Sequence, residues 1–301
     1  MATAPKNLSE PLLQLYRINA GSCNGCDVEL ATTATVASFD VERIGCSYTE
    51  SPAEADIVLV TGPLTVRVRE KVLRAYGEVP EPKITVAVGV CPISGGVFRD
   101  SYAVDGPVDR YLPVDVNVPG CPPRPQAILA GIEEAVLLWR ARRDGVLPPP
   151  VASQPHPEKG AVSTGVRGKM DFNPAACVGC RMCEHVCAGG AIRFNEEFTG
   201  LRFTLWHNSC VFCGLCRHYC PTGALTVTDE WQLAHRQDQK YHLTTQGIMP
   251  YAPCSGCGEL LLPVAPELLR VAFRGTGREI DRLKSLCTEC RQKQSIGGRR
   301  R

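Results

Sequence analysis

The chain has 301 residues, of which 44% are hydrophobic and 21% charged, and its net charge is +2. That length accommodates two domains or three small ones, and that composition supplies an ordinary buried core for at least part of the chain. The near-neutral balance, with no long basic stretch before Arg299, Arg300 and Arg301, excludes a bulk-electrostatic case for nucleic-acid binding.

Residues 1–15 lack a basic segment followed by an apolar core, so no export signal is expected. No apolar run approaches the roughly 20 residues of a membrane-spanning helix. From Leu12 onward, short β-branched runs at Leu12–Ile18, Ile57–Val60, Ile84–Val90 and Val114–Val118 predict buried strands. Glu29–Ser38 and Val66–Tyr76 read as helices between them. Pro125–Arg143 is the clearest helix, with Ile128, Leu129, Ile132, Val136 and Trp139 on one face and proline at its start. Alternating strands and helices imply an open, largely parallel sheet covered on both faces, with sites in the loops beyond the strands' carboxyl ends.

A proline-rich linker begins at Val146 and runs to residue 168. An internal repeat follows, Cys177–Phe194 and Cys210–Val227. Residues 231–253 are polar and poorly periodic, as an extended arm would be, and a short amphipathic helix is predicted from about Pro266 to Phe273.

Seventeen cysteines fall into three groups: five before residue 150, eight between Cys177 and Cys220, and four between Cys254 and Cys290. Clustered C-x2-C pairs without an export signal favour metal ligation in a reducing setting over disulfides. The middle eight form two C-x2-C-x2-C-x3-C runs, the spacing that wraps thiolates around cubic iron–sulfur clusters. In such a repeat three cysteines of one run and the fourth of the other share a cluster. Cys177, Cys180, Cys183 and Cys220 form one expected 4Fe–4S set, and Cys210, Cys213, Cys216 and Cys187 the other. Pro221 follows the second run, whereas Ala188 takes that place in the first. Paired zinc sites are the competing reading, disfavoured because zinc ribbons use separated C-x2-C pairs.

Cys23 and Cys26 follow the first strand, Cys91 the third, and Cys121 the last, so four thiolates from three loops converge at one sheet edge. At the other end, Cys254 and Cys257 are separated from Cys287 and Cys290 by twenty-nine residues. Two such knuckles suit a structural zinc ion, with an iron centre or free thiols as alternatives. The histidines, His185, His207 and His218 among them, lack a second ligand set and are assigned no role. Phe194, Phe203, Trp206, Phe212 and Tyr219 are read as core packing and shielding from water.

The segments Ala55–Thr65, Glu81-Pro82-Lys83, Gly89–Gly96 and Val118–Pro125 resemble the small subunit shared by respiratory complex I and NiFe hydrogenases. The likeness covers about residues 12–143. It implies one 4Fe–4S cluster on Cys23, Cys26, Cys91 and Cys121, beside the active site of a larger partner. Complex I subunits carry adjacent cysteines in the first motif, whereas Cys23-Asn24-Gly25-Cys26 resembles the hydrogenase branch. The repeat and its arm resemble the ferredoxin-like companion subunit of energy-converting hydrogenases such as formate hydrogenlyase. Cys46 matches no ligand position and reads as a buried small hydrophobe. Gly95 and Gly96 allow close approach after Cys91 or form a plain turn. Asp27 and Glu29 either relay protons or are ordinary acids at a helix start. Arg124 either offsets the charge of an anionic cluster, contacts a partner, or is solvated.

The expected fold is α/β. A flavodoxin-like doubly wound parallel sheet spans residues 1–145, and a separate linker spans 146–168. A two-cluster ferredoxin α+β domain spans 169–230. An extended arm and a small zinc-ribbon-like C-terminal knuckle span 231–301. The resemblance implies an electron-transfer subunit carrying three 4Fe–4S clusters and one zinc or iron ion, with the catalytic centre elsewhere. Its partners would be a NiFe-hydrogenase-like or complex I D-type large subunit, membrane-embedded subunits, and a donor such as ferredoxin or a formate dehydrogenase. Its place would be cytoplasmic, peripheral on the inner membrane face. Three alternatives stand beside it: a nickel-free complex I-like oxidoreductase subunit, a freestanding ferredoxin-type carrier, and a redox sensor.

Overall fold

Strand β3 (Ile57–Thr61) is buried along its whole length, and its side chains divide between two cores with a period of two. Ile57 and Leu59 join Leu13 and Leu15 on one face, while Val58 and Val60 join Ile18 on the other. A strand buried on both faces belongs at the centre of a parallel sheet. In this computed structural model, which describes residues 11–149, 168–262 and 282–297, that is where it sits. Its parallel neighbours are β1 (Leu13–Asn19) and β5 (Ile84–Val88); β2 (Cys46–Thr49) lies outside β1 and β7 (Val116–Val118) outside β5. The short β4 (Leu64–Thr65) and β6 (Val104–Gly106) form a separate antiparallel ribbon.

Helices cover both faces. α1 (Gly25–Thr35) and α4 (Pro125–Arg143) pack on the face lined by Leu13, Leu15, Ile57, Leu59, Ile84 and Val86. α2 (Arg69–Glu78) contributes Val72 to the opposite core, and the short α3 (Val90–Ser94) contributes Ile93. The doubly wound α/β expectation therefore holds. Its details move by a few residues. The predicted strand to Val90 ends at Val88, because Gly89 turns the chain at φ +92° and Val90 begins α3. The first helix starts at Gly25, behind Asn24 in a left-handed conformation, so Cys26 lies on a helix and not in a loop. Strand β2, unmarked in the sequence, holds Cys46 fully buried against the core.

The second unit pairs β8 (Met170–Phe172) with β11 (Leu225–Val227) and adds β9 (Ile192–Glu197) and β10 (Gly200–Trp206) as a hairpin. Phe203 is its buried centre, stacked on Phe172 at 4.0 Å between ring centroids and edge-on to Phe194 at 5.4 Å. Tyr219 is half exposed and contributes little to this core, and Trp206 stacks instead on Tyr241 of the arm. The one-turn helices α5 (Met182–His185) and α6 (Leu215–His218) carry the third cysteine of each run, Cys183 and Cys216.

The arm is extended, and both of its ends are paired. β12 (His235–Arg236) adds antiparallel to β7 at the edge of the first sheet, and β13 (Thr244–Pro250) adds to β10 in the second. Between them Asn117 donates to Gln237, Gln237 to Asp109, and Asn208 to the Lys240 carbonyl. Arg236 pairs with the buried Glu134 of α4. The arm thus ties the two units together along their shared side.

At the C-terminus β14 (Ala252–Pro253) and β15 (Leu260–Leu261) form a ribbon, and α7 (Thr288–Gly297) ends the described chain. The segment around Pro266–Phe273, the linker from residue 150 to 167, and the terminal arginines lie outside the described residues. Among the described residues no helix is long and apolar enough to cross a membrane.

Candidate metal centres

None of the seventeen cysteines is in a disulfide. The structure gathers sixteen of them into four groups and leaves Cys46 apart in the sheet core.

Cys26 comes from the first turn of α1, Cys91 from α3, and Cys23 and Cys121 from the loops after β1 and β7, all beyond the carboxyl edge of the parallel sheet. Cys26 is buried, Cys91 half-buried, and Cys23 and Cys121 exposed, so the group lies at the surface with one side open. Burial, then the neighbouring Cys91, Cys121 and Cys23, push the Cys26 thiol far above its ordinary range. Burial, Cys121 and Cys23 push Cys91 up to about 12. Neighbouring sulfurs that raise the proton affinity of Cys26 and Cys91 repel as thiolates, and a bound cation relieves that repulsion. Gly89 makes room for the group: a Cβ there would stand 2.6 Å from Cys26 Sγ. Here the glycine is required both by its positive φ and by the sulfur beside it.

In the repeat, Cys177, Cys180, Cys183 and Cys220 line one small cavity together with Phe172 and Phe194. Burial, then Cys177 and Cys216, push Cys183 up to about 12. The second group is likewise drawn together: burial raises Cys210 to about 12, with Cys216, Cys187 and Cys213 adding to it. Backbone N–H groups point at the sulfurs in matching places. Gly179 donates to Cys177 Sγ and Phe212 to Cys210 Sγ, both at 3.4 Å, while Ala191 and Ala224 donate to Cys187 and Cys220 at 3.2 and 3.3 Å. Such donors favour the anionic sulfur that a soft metal needs. The donor sets fit iron–sulfur clusters, whose ligands these residues would be.

The last group, Cys254, Cys257, Cys287 and Cys290, brings its sulfurs within 4.8 Å of one another. Cys287 and Gly256 donate backbone N–H bonds to Cys254 Sγ at 3.1 and 3.4 Å. With the Cys257 amide they hold that thiol down to about 6. Leu261, Leu283 and Leu286 pack around it as a core of their own.

Asp27 accepts from Arg17 at 2.5 Å and from Thr61 at 3.0 Å. Burial raises its pKa, but bonds from Ser22, Arg17 and Thr61 outweigh it and hold the carboxyl below its usual range. Glu29 is shifted the other way, upward by burial and opposed by Arg124. Glu29 and Arg124 line one cleft with Cys121, Phe212 and Trp231. Arg124 thus faces a carboxylate within the protein.

The two units meet beside Cys121, which lines one cleft with Val211 and Phe212 of the repeat, and the thiol of Cys121 is raised by burial, by Cys23 and then by Cys213. Beside it Ser94, Arg99 and Ser209 bridge the units. The sequence held no sign of them, since none is a metal-ligand type and their partners lie 90 or more residues away. His207 and His235 are buried and hydrogen-bonded through their rings to Thr245 and to Asn208, and the His207 carbonyl accepts the Cys210 amide.

Residues 23–135 match the family described as NADH ubiquinone oxidoreductase, 20 Kd subunit, and residues 176–224 match a 4Fe–4S dicluster domain. The chain is similar to a probable membrane-bound hydrogenase subunit, mbhJ, of Pyrococcus furiosus, 47% identical over 45% of this chain and 80% of the relative. It is similar to formate hydrogenlyase subunit 7 of Escherichia coli, 46% identical over 40% of this chain and 48% of that protein. It is also similar to an NADH-quinone oxidoreductase subunit of Rubrobacter xylanophilus, 45% identical over 36% of this chain and 43% of that one.

Proposed function

The chain belongs to the NADH ubiquinone oxidoreductase 20 Kd subunit family and carries a 4Fe–4S dicluster domain behind it, and from that premise we propose that it is the electron-transfer subunit of a membrane-associated, NiFe-hydrogenase-like complex. The observation that carries the reading is that Cys121 of the sheet unit lines one cleft with Val211 and Phe212, the two residues between Cys210 and Cys213 of the repeat. When bound, 4Fe–4S clusters supply one-electron exchange, and neither repeat group has an evident open ligand position for other chemistry.

In this reading Cys23, Cys26, Cys91 and Cys121 hold the cluster nearest the partner. Cys210, Cys213, Cys216 and Cys187 hold the middle one, and Cys177, Cys180, Cys183 and Cys220 the one nearest the donor. The open side at Cys23 and Cys121 faces a large subunit that carries the catalytic metal, while ferredoxin or a formate-oxidising partner serves the other end. The complex would sit on the cytoplasmic face of the membrane through its other subunits.

The C-terminal four hold zinc. A tetrahedron of zinc–sulfur bonds of about 2.3 Å sets sulfurs roughly 3.8 Å apart. Cys257 and Cys287 stand at 3.7 Å. Four closed thiolate positions stabilise a small fold and leave no room for substrate.

Anaerobic recovery of the native complex through a tag on this chain tests the proposal, with nickel quantified and hydrogen uptake followed by viologen reduction. Stoichiometric nickel with hydrogen-dependent dye reduction supports it. An iron-rich complex with neither sinks it in favour of the nickel-free, quinone-linked reading, which the 45% identity to an NADH-quinone oxidoreductase subunit already supports.

A further inference from the structure

The two halves of the cysteine repeat end in the same turn, and only one of those turns is engaged. After Cys220 the chain runs Pro221-Thr222-Gly223-Ala224, and a Cβ placed on Gly223 would meet nothing within 4 Å. After Cys187 it runs Ala188-Gly189-Gly190-Ala191, and there the Arg99 guanidinium lies directly on the turn. A Cβ on Gly190 would stand 1.6 Å from Arg99 Nη2. Both glycines have positive φ, +50° at Gly190 and +66° at Gly223, so the backbone alone does not distinguish them. The difference is the arginine.

Arg99 belongs to the first unit, eight residues beyond Cys91. Its Nη1 donates to the Gly189 carbonyl at 2.7 Å, to the Gly190 carbonyl at 3.3 Å, and to Ser209 Oγ at 3.5 Å. Ser209 immediately precedes Cys210 and donates to the same Gly189 carbonyl at 2.5 Å. Ser94, in the helix that carries Cys91, donates to Ser209 at 3.4 Å. The turn under the guanidinium ends at Ala191, whose amide donates to Cys187 Sγ. One arginine therefore joins the backbone behind Cys187 and the residue before Cys210 to the loop after Cys91. Its other partner, Asp100, is 90% exposed, where an ion pair contributes little. All three bonds to the repeat leave one guanidinium nitrogen, Nη1, so the turn and Ser209 are held at a single point at the end of the side chain.

We propose that Arg99 is the positioning residue that holds the middle thiol group of the repeat in register with the thiol group of the sheet unit. This rests on the reading that both groups carry 4Fe–4S clusters. The serines complete the bridge, and Gly190 is glycine because a methyl group there would displace the guanidinium.

The test uses the full chain with its clusters loaded, reduced so that neighbouring clusters are paramagnetic, with iron content, thermal melting and the spin–spin splitting of the EPR signal measured together. Wild-type chain is expected to show full iron content and splitting between the adjoining clusters. Its failure to load iron would overturn the cluster reading and not the Arg99 inference alone. Arg99→Ala is expected to keep its iron and lose the splitting, and Gly190→Ala, with Arg99 intact, to do the same. Should Arg99→Ala lose iron, Arg99→Lys decides, since it keeps the charge and ends one bond short of the place of Nη1. Arg99→Lys with full iron and weakened splitting supports the proposal. An iron-loaded Arg99→Ala or Arg99→Lys chain with wild-type splitting overturns it, whatever its melting temperature.

Discussion

Lys240 of the arm is 2% exposed, and its ammonium is paired with Asp109 of the sheet unit. Gln237 donates to the same carboxylate at 2.9 Å, and the Lys240 carbonyl receives both Trp206 Nε1 and Asn208. A two-strand splice thus rests on one buried charge and its counter-ion. Removing one partner of such a pair leaves an uncompensated charge and costs about 3–5 kcal/mol, whereas replacing both partners by hydrocarbons of similar volume is often close to neutral. Asp109→Ala is expected to lower stability by that amount, and the double variant Asp109→Leu, Lys240→Met by much less. Chemical denaturation of the two variants under anaerobic conditions checks the order.

Gly89→Ala is expected to abolish the metal group of the sheet unit alone. The added methyl would fall 2.6 Å from Cys26 Sγ at a backbone angle that disfavours any side chain. The repeat shares no residue with that site. Iron analysis is expected to show the loss of one cluster's iron with the dicluster signal retained.

His207 gives the chain an acid-sensitive point. Burial, with Lys169 adding to it, lowers its pKa from 6.5 to about 3. Between those values the unfolded chain binds a proton that the folded chain refuses, so stability is full above about 6.5 and is lost as the pH falls toward 3. His207→Gln is expected to flatten that part of the pH–stability curve. The comparison is made on chains of equal iron content, because acid also attacks clusters.

Metal uptake is expected to release protons and to strengthen with rising pH. The thiols of Cys91, Cys183 and Cys210 stand at about 12, and that of Cys216 at about 11, each raised first by burial, so these four thiols are protonated at neutral pH without metal. Ligation needs thiolates, and each one formed releases a proton. Proton release during anaerobic reconstitution, followed in weak buffer with an indicator dye, measures it.

Cys257→Ser is expected to lose the C-terminal metal and loosen residues 252–262 and 282–297 while leaving iron content unchanged. That segment has its own core of Leu261, Leu283 and Leu286, and it touches the repeat through Leu262, which packs near Gly179. Zinc and iron analysis on the same sample, with limited proteolysis, separates the two outcomes.

Some of this was legible before any coordinates. Alternation of Ile57, Val58, Leu59 and Val60 between two cores is a local property of a strand, and the helix Pro125–Arg143 ends where its apolar period and flanking charges end. The cysteine spacings name candidate ligands because soft-metal chemistry demands sulfur at short, regular intervals. The arm was legible only as extended chain. His235 and Arg236 have no periodicity to announce a strand; β7 makes them one by offering an open edge 118 or more residues upstream.

By itself, then, the sequence determined the class of the sheet, the repeat and the identity of the sulfur donors, since each follows from short-range pattern and ligand chemistry. Only the tertiary structure decided which segments adjoin, as Cys121 does Val211 and Phe212, and which side chains hold them there. Arg99 on Gly189, Lys240 against Asp109 and Arg236 against Glu134 are pairings of ordinary residues far apart in the chain. No local preference selects such partners. They are chosen when burial removes water from the charges and carbonyls concerned and leaves each to satisfy the other.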